Sequence, residues 1–139
     1  MKRIFIIFQL SVLLFACGGN EVEKVEATFE EGKPKVIAKY KVQEGKDVKV
    51  FEKELYENGN TRMEGAIANN NRTGIWKAYF EDGTLWTEGE YLEGKRNGAA
   101  KNYYPHGKLR YEGFYTLGKK SGHWKFYNEN GQLIEEKEF

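Results

Sequence analysis

Three side chains have the reactivity that chemistry most often uses: Cys17, the only cysteine, and the two histidines, His106 and His123. Nucleophilic catalysis needs a thiol or hydroxyl beside a base that a third group orients. No Ser/His/Asp or Cys/His set of that kind is readable. His106 fills a turn slot, and His123 fills a strand slot that Ile75 and Ala99 occupy elsewhere. No Cys/His cluster has metal-ligand spacing, so no metal is expected. Carboxylates such as Glu88 and Glu90 are plentiful, but the periodic pattern of the chain sets Glu88 against Lys77 as a cross-strand charge pair. The expectation is a protein that is not an enzyme and holds no cofactor.

The elements that carry these residues are copies of one unit. The turn glycines Gly59, Gly83, Gly107 and Gly131 lie 24 residues apart. The same step relates Gly74, Gly98 and Gly122, and again Gly65, Gly89 and Gly113. It also relates Lys53, Lys77, Lys101 and Lys125, and Glu64, Glu88, Glu112 and Glu136. A fixed period of this size marks a stacked repeat. Asn58-Gly59, Asp82-Gly83, His106-Gly107 and Asn130-Gly131 sit between aromatic or β-branched runs, which predicts a hairpin with a type I′ turn at each.

With Asp82-Gly83 at the tip, Phe80 faces Leu85, Tyr79 faces Trp86, Lys77 faces Glu88 and Trp76 faces Gly89. The same register gives Lys53–Glu64, Lys101–Glu112 and Lys125–Glu136, each opposite-charge pair contributing ~0.2–1 kcal/mol across strands. Trp76 over Gly89 reads as a ring covering bare backbone. The fold class is therefore all-β: one elongated antiparallel meander of hairpins.

Alternation sorts the faces. Trp76, Phe80, Leu85, Tyr91, Tyr104, Leu109, Tyr111, Tyr115, Trp124 and Phe126 line one of them. Lys77, Tyr79, Trp86, Glu88 and Glu90 lie on the other. The aromatic face of a single sheet either closes into a thin core or stays open as a groove for a protein segment or glycan. Trp76, Phe80, Leu85, Tyr91, Tyr104, Tyr111, Tyr115 and Trp124 form the candidate binding face.

With 139 residues the chain makes one small domain. Charged residues are 31% of it, but the net charge is only +1, which argues against nucleic acid as the partner. Aromatic residues at 15%, with 16 Gly against 2 Pro, fit hairpin repeats better than a disordered chain.

Lys2 and Arg3 precede an apolar run from Ile4 to Ala16, too short to span a bilayer comfortably and suited to a signal peptide over residues 1–16. Leu14-Phe15-Ala16-Cys17 resembles the lipobox of bacterial lipoproteins, with Phe15 where a smaller residue is usual. That resemblance implies acylation of Cys17 and a membrane anchor. Residues 17–25, with Gly18-Gly19-Asn20, read as a flexible tether. Loss of Lys2 and Arg3 takes the net charge to about −1. Among such lipoproteins, Gly18 after the cysteine implies outer-membrane sorting, on the periplasmic or surface leaflet.

Residues 26–50 look like a divergent copy, with Phe29-Glu30-Glu31-Gly32 echoing Phe80-Glu81-Asp82-Gly83, and read as an N-terminal cap hairpin ahead of the repeats at 51–139. Three residues are inserted, because Gly32 and Gly59 are 27 apart. The loops opposite the tips, Ala68 to Thr73, Leu92 to Asn97 and Thr116 to Ser121, carry Arg72, Lys95, Arg96, Lys119 and Lys120. The tips carry Glu57, Glu81, Asp82 and Glu129. The basic end is either an anion-contacting rim or a solvated loop edge. Glu135, Glu136, Lys137 and Glu138 charge the final strand as an edge that discourages further pairing.

The pattern Tyr103-Tyr104-x-x-Gly107-x-Leu109-x-x-Glu112-Gly113-x-Tyr115-x-x-Gly118-Lys119-x-x-Gly122-x-Trp124-Lys125 resembles the MORN-repeat variant of bacterial YwqK-type antitoxin proteins. Ala99-Ala100 departs from it where Ile75-Trp76 stand one unit earlier. The resemblance implies a ribbon of hairpins that binds other molecules without chemistry. Three functions are compatible with it: a lipid-tethered protein-binding or scaffold module of the envelope, an antitoxin or immunity protein that sequesters a toxin, and a purely structural envelope module.

Overall fold

The computed structural model describes residues 21–139; the signal segment, Cys17 and Gly18 to Asn20 lie outside the described residues. Ten strands follow one another: β1 (Glu21–Thr28), β2 (Pro34–Gln43), β3 (Lys46–Leu55), β4 (Thr61–Ala68), β5 (Asn71–Tyr79), β6 (Leu85–Leu92), β7 (Lys95–Tyr103), β8 (Leu109–Thr116), β9 (Lys119–Tyr127) and β10 (Leu133–Glu138). Each pairs with its neighbours in sequence, giving one open antiparallel meander in the order β1 to β10. The all-β repeat sheet expected from the 24-residue period is the fold. Sequential hairpins need only short connections, so the period maps directly onto pairs of strands.

Turn chemistry differs from the expectation at both ends. At the tip, the Phe80 N–H donates to the Thr84 carbonyl (2.8 Å) and the Gly83 N–H to the Phe80 carbonyl (2.9 Å). Within that loop only Gly83 takes a positive φ, 90°. This is a three-residue loop, a type I turn followed by one left-handed glycine. The Asp82 carboxylate accepts from the Thr84 N–H (2.8 Å), which ties down the turn preceding the glycine. Type I′ turns instead close the opposite ends, at Asn69-Asn70 (φ 49° and 60°), Glu93-Gly94 (49° and 80°) and Leu117-Gly118 (49° and 88°). The segments read as loops are therefore mostly strand.

The longer tip loop shifts the register by one residue, and a bulge shifts it back. Tyr79 pairs with Leu85, then Ala78 pairs with Thr87, leaving Trp86 as the extra residue. Arg62, Arg110 and Ile134 take the same place in the other units. Below the bulge the expected register holds: Trp76 opposes Gly89, and Lys53–Glu64, Lys77–Glu88, Lys101–Glu112 and Lys125–Glu136 are cross-strand neighbours. Of these four pairs only Lys53–Glu64 closes to an ion pair, at 3.1 Å. Glu64 also accepts from the hydroxyl of Tyr79 (2.9 Å), and Glu88 and Glu112 accept from those of Tyr103 (3.0 Å) and Tyr127 (2.9 Å). Each of those tyrosines reaches a glutamate of the preceding hairpin, so the ladder stitches units together.

The N-terminal region is continuous with the rest. Residues expected as tether enter β1 at Glu21, where Glu21 and Val22 pair with Lys41 and Tyr40 of β2. Val22 and Val25 supply the half-buried positions that a strand needs and a free tether lacks. The 50/51 boundary falls inside β3. The three inserted residues lengthen the strands, 10 residues each in β2 and β3 against 8 and 9 in β4 and β5.

The core is one layer of side chains on the aromatic face. Trp124 is completely buried and Trp76 is 4% exposed, with Ala78 and Ala100 beside them. Tyr115 meets Trp124 edge-on at 5.2 Å between centroids, Phe139 does so at 5.8 Å, and Tyr91 meets Trp76 at 6.4 Å. Side chains of the same face thus enclose each indole.

Candidate functional site

The two tryptophans of the candidate binding face are its floor. Each indole leans over the preceding strand: Trp76 Nε1 donates to the Ala66 carbonyl (2.9 Å), and Trp124 Nε1 to the Phe114 carbonyl (3.2 Å). A Cβ at Gly65 would lie 2.5 Å from the Trp76 ring, and one at Gly113 would lie 2.3 Å from that of Trp124. Trp76 therefore covers Gly65, whereas the sequence pointed to Gly89. Gly89 has Ala100 Cβ nearest its open side, at 3.7 Å. With both indoles buried, the open groove considered for this face does not run over the tryptophans.

What faces outward is a ring of half-buried aromatics. Phe80, Tyr91, Tyr104, Tyr111 and Tyr115 are all of intermediate exposure. Tyr91, Tyr111, Tyr115 and Trp124 form one connected part of the candidate set, through contacts to Trp76, Phe126 and Arg96. Tyr104 lies apart at the tip end, stacked on His106 with its hydroxyl on the Tyr127 carbonyl (2.9 Å). Phe80 also lies at the tip, against Trp86 at 6.0 Å. Leu85 and Leu109 pair with Tyr79 and Tyr103, not with Phe80 and Tyr104, because the three-residue tip loop takes them out of the register that placed them on this face.

Sequence reasoning missed a series inside the basic end. Arg72, Arg96 and Lys120 are 24 residues apart, and each lies over the aromatic face. Arg72 sits 4.2 Å from the Trp76 ring, Arg96 5.1 Å from Tyr115 and 6.0 Å from Tyr91, and Lys120 4.5 Å from Trp124 and 4.8 Å from Phe139. Such cation–π contacts suit cations held on ring faces. Among the described residues none of the three forms an ion pair with a carboxylate, and the same holds for Lys77 and Lys101 on the same strands, so it is the ring contacts that set the three apart. The 24-residue step at Arg72, Arg96 and Lys120 was the available signal.

Arg96 is half-buried. Its unit has Ala100 where the neighbouring units have Trp76 and Trp124. Its Nε donates to the Tyr91 hydroxyl at 3.2 Å, and Ala100 is only 3% exposed. Burial pulls the Arg96 pKa down, but hydrogen bonds and charge interactions with Tyr91 and Tyr115 outweigh it, so the guanidinium is held more firmly charged. Further along β7, Asn102 is 4% exposed with Oδ1 unpartnered.

The opposite face carries the Tyr–Glu ladder and two shallow hollows that meet at Ala99 to Lys101. One, of about 270 Å³, is lined by Phe114, His123 and Lys125 among others; the second, of about 130 Å³, by Ile75, Glu88 and Glu90. They exist because Ala99 is small where Ile75 and His123 stand in the adjacent units. His106 contacts the Glu129 carbonyl (3.0 Å), and His123 lies between Glu138 (2.7 Å) and Glu136 (3.4 Å).

No curated protein and no solved structure matches the chain. The family model described as MORN repeat variant matches three stretches, residues 72–93, 96–116 and 120–139, each match opening on one of the three ring-bound cations, so these units are similar to MORN repeat variants.

Proposed function

We propose that this chain is a non-enzymatic, lipid-anchored module of the bacterial cell envelope that binds or scaffolds a protein through its aromatic face. One observation carries the reading: Arg72, Arg96 and Lys120 stand in register over the aromatic face, Arg72 and Lys120 on the buried indoles and Arg96 on half-buried tyrosines, with no ion-pair carboxylate among the described residues. Unmatched charge in a fixed row suits a partner that brings the opposite sign. The histidines support a non-catalytic reading, since both are engaged in holding the turn and the last strand. Residues Leu14 to Cys17 support the anchor, and the outer membrane is the proposed location. β1 begins only four residues beyond Cys17, within ~14 Å of chain, so an anchored sheet would stand close to the bilayer.

Two measurements test this. Intact mass should show acylation at Cys17 that is lost in Cys17→Ala; an unmodified mature chain would remove the anchor. A photo-crosslinking residue at Tyr115 should give a discrete protein adduct in living cells, weakened by Arg96→Met. Absence of any adduct would remove the binding role and leave the purely structural reading. A toxin in that adduct would turn the scaffold into an antitoxin, the finer reading that the resemblance of the repeats suggests.

A further inference from the structure

We propose that the row Arg72–Arg96–Lys120 receives an acidic polypeptide segment in polyproline II conformation, laid across the strands with one carboxylate per turn on each cation. The inference rests on the binding role above and adds the chemistry of the partner.

The spacing supports it. The three cations occupy the same place on β5, β7 and β9, two strands apart in the sheet. Neighbouring strands are ~4.8 Å apart, so successive cations are roughly 9.6 Å apart across the sheet. A polyproline II helix rises about 3.1 Å per residue with three residues per turn, so its side chains repeat on one side every ~9.3 Å. An extended β-strand repeats on one side at ~6.7 Å and falls out of step after one cation. The cations and this helix share a period.

The chemistry between the cations points the same way. Tyr91 and Tyr115 pair with Arg96 and Lys120 across strands, placing a half-buried ring beside each of these two cations. Aromatic rings at regular spacing are what proline rings pack against in polyproline recognition. Arg96 is held charged by its tyrosine partners yet lacks a carboxylate. An incoming Glu would meet a cation already fixed by ring contacts, so little side-chain freedom is lost on binding.

The test uses the protein purified in detergent from a bacterial host and three synthetic 18-residue peptides. The probes are (Glu-Pro-Pro)6, (Lys-Pro-Pro)6 and a peptide of the same composition as the first with its six glutamates in adjacent pairs. The expected result is binding of (Glu-Pro-Pro)6 only, weakened about tenfold or more by moderate salt and by Arg72→Met/Arg96→Met/Lys120→Met. Met keeps an apolar stem over each ring; should the triple variant unfold, the comparison of peptides on the unaltered protein still decides. Equal binding of the regular and paired-glutamate peptides overturns the proposal. So does failure of both, or a triple variant that folds and binds unchanged. Vesicles of phosphatidylglycerol form a separate arm, read as the difference between the unaltered protein and the triple variant. Loss of vesicle binding in the variant, with no peptide bound, assigns the row to a membrane and overturns the proposal. A Tyr115 adduct in cells without peptide binding would leave the binding role standing and reject only the acidic polyproline partner.

Discussion

Gly113 and Trp124 fit together because Gly113 lacks a side chain: a Cβ there would lie 2.3 Å from the indole. Gly65 and Trp76 stand in the same relation at 2.5 Å, but Gly89, in the same 24-residue series, has only Ala100 Cβ at 3.7 Å. The three glycines should therefore respond differently to one substitution. Gly65→Ala and Gly113→Ala force the indole off its carbonyl bond and should cost about 1–3 kcal/mol or more. Gly89→Ala should be close to neutral, since its new methyl meets ordinary van der Waals contact. Denaturant midpoints of the three variants check this, and equal losses would contradict the placement of the rings.

Much of the sheet was legible because period and register are properties of sequence alone. Lys77 and Glu88 oppose each other as their 24-residue series required, and Trp76 does oppose Gly89. The lean of an indole is another matter. Trp76 has a glycine opposite it on both β4 and β6, and the choice between Gly65 and Gly89 is made by the Ala66 carbonyl, which no sequence spacing reveals. The tip failed for a related reason. Asp82-Gly83 fits a type I′ turn or the end of a longer loop equally well, and the Asp82–Thr84 bond decides it. Trp86 then becomes a bulge, and Leu85 leaves the face on which alternation placed it.

The cation row illustrates the limit at the site. Arg72, Arg96 and Lys120 were visible as basic residues near turns, where solvation is the ordinary outcome. Their meaning depends on the type I′ turns lying immediately before them, which makes Arg72, Arg96 and Lys120 strand residues pointing over the rings. The substitution of Ala100 for tryptophan was also visible, but not that the Arg96 guanidinium lies over its unit.

The tyrosine ladder gives a prediction at high pH. Burial first, and the hydrogen bond to Glu64 second, push Tyr79 up to about 12; Tyr103 behaves alike through burial and Glu88. A phenol whose folded pKa exceeds its unfolded value near 10 stabilises the fold fully below that value. The contribution is lost as pH rises through about 12. Tyrosinate absorbance should show Tyr79 and Tyr103 ionising last among the nine tyrosines. Glu64→Gln should bring Tyr79 down only part of the way, because burial remains. A Tyr79 that titrated like a free phenol would rule out the ladder.

The last strand should loosen with alkalinity. The hydrogen bond from His123 to Glu138, then that to Glu136, raises the histidine pKa above its ordinary value of 6.5. The raised pKa favours charged imidazole in the fold, so the clasp on β10 is complete below the ordinary histidine value and is lost as pH rises through the folded one. Beyond it, Phe139 exchanges backbone bonds with Gly122 and its ring covers Trp124. Amide exchange, corrected for intrinsic rate, should show lower protection of Leu133 to Glu138 at about pH 8.5 than at about pH 5.5. Glu138→Gln should flatten that difference, and an unchanged profile would show that the ion pairs do not hold the edge.

Asn102 sets the last expectation. It lies on the buried side of β7 at 4% exposure, in the series that has Ala78 and Phe126 in the adjacent units, and its Oδ1 has no partner. A buried acceptor left unsatisfied costs about 1–3 kcal/mol, so removing it offsets the loss of the few atoms deleted with it. Asn102→Ala, which recreates the residue at position 78, should leave stability unchanged or raise it by up to ~1 kcal/mol. The midpoint of urea unfolding should rise or hold with an unchanged slope, because the surface exposed on unfolding barely changes. A loss of more than ~2 kcal/mol would mean that Oδ1 is satisfied in solution, and that Asn102 is a structural hydrogen-bonding post inside β7.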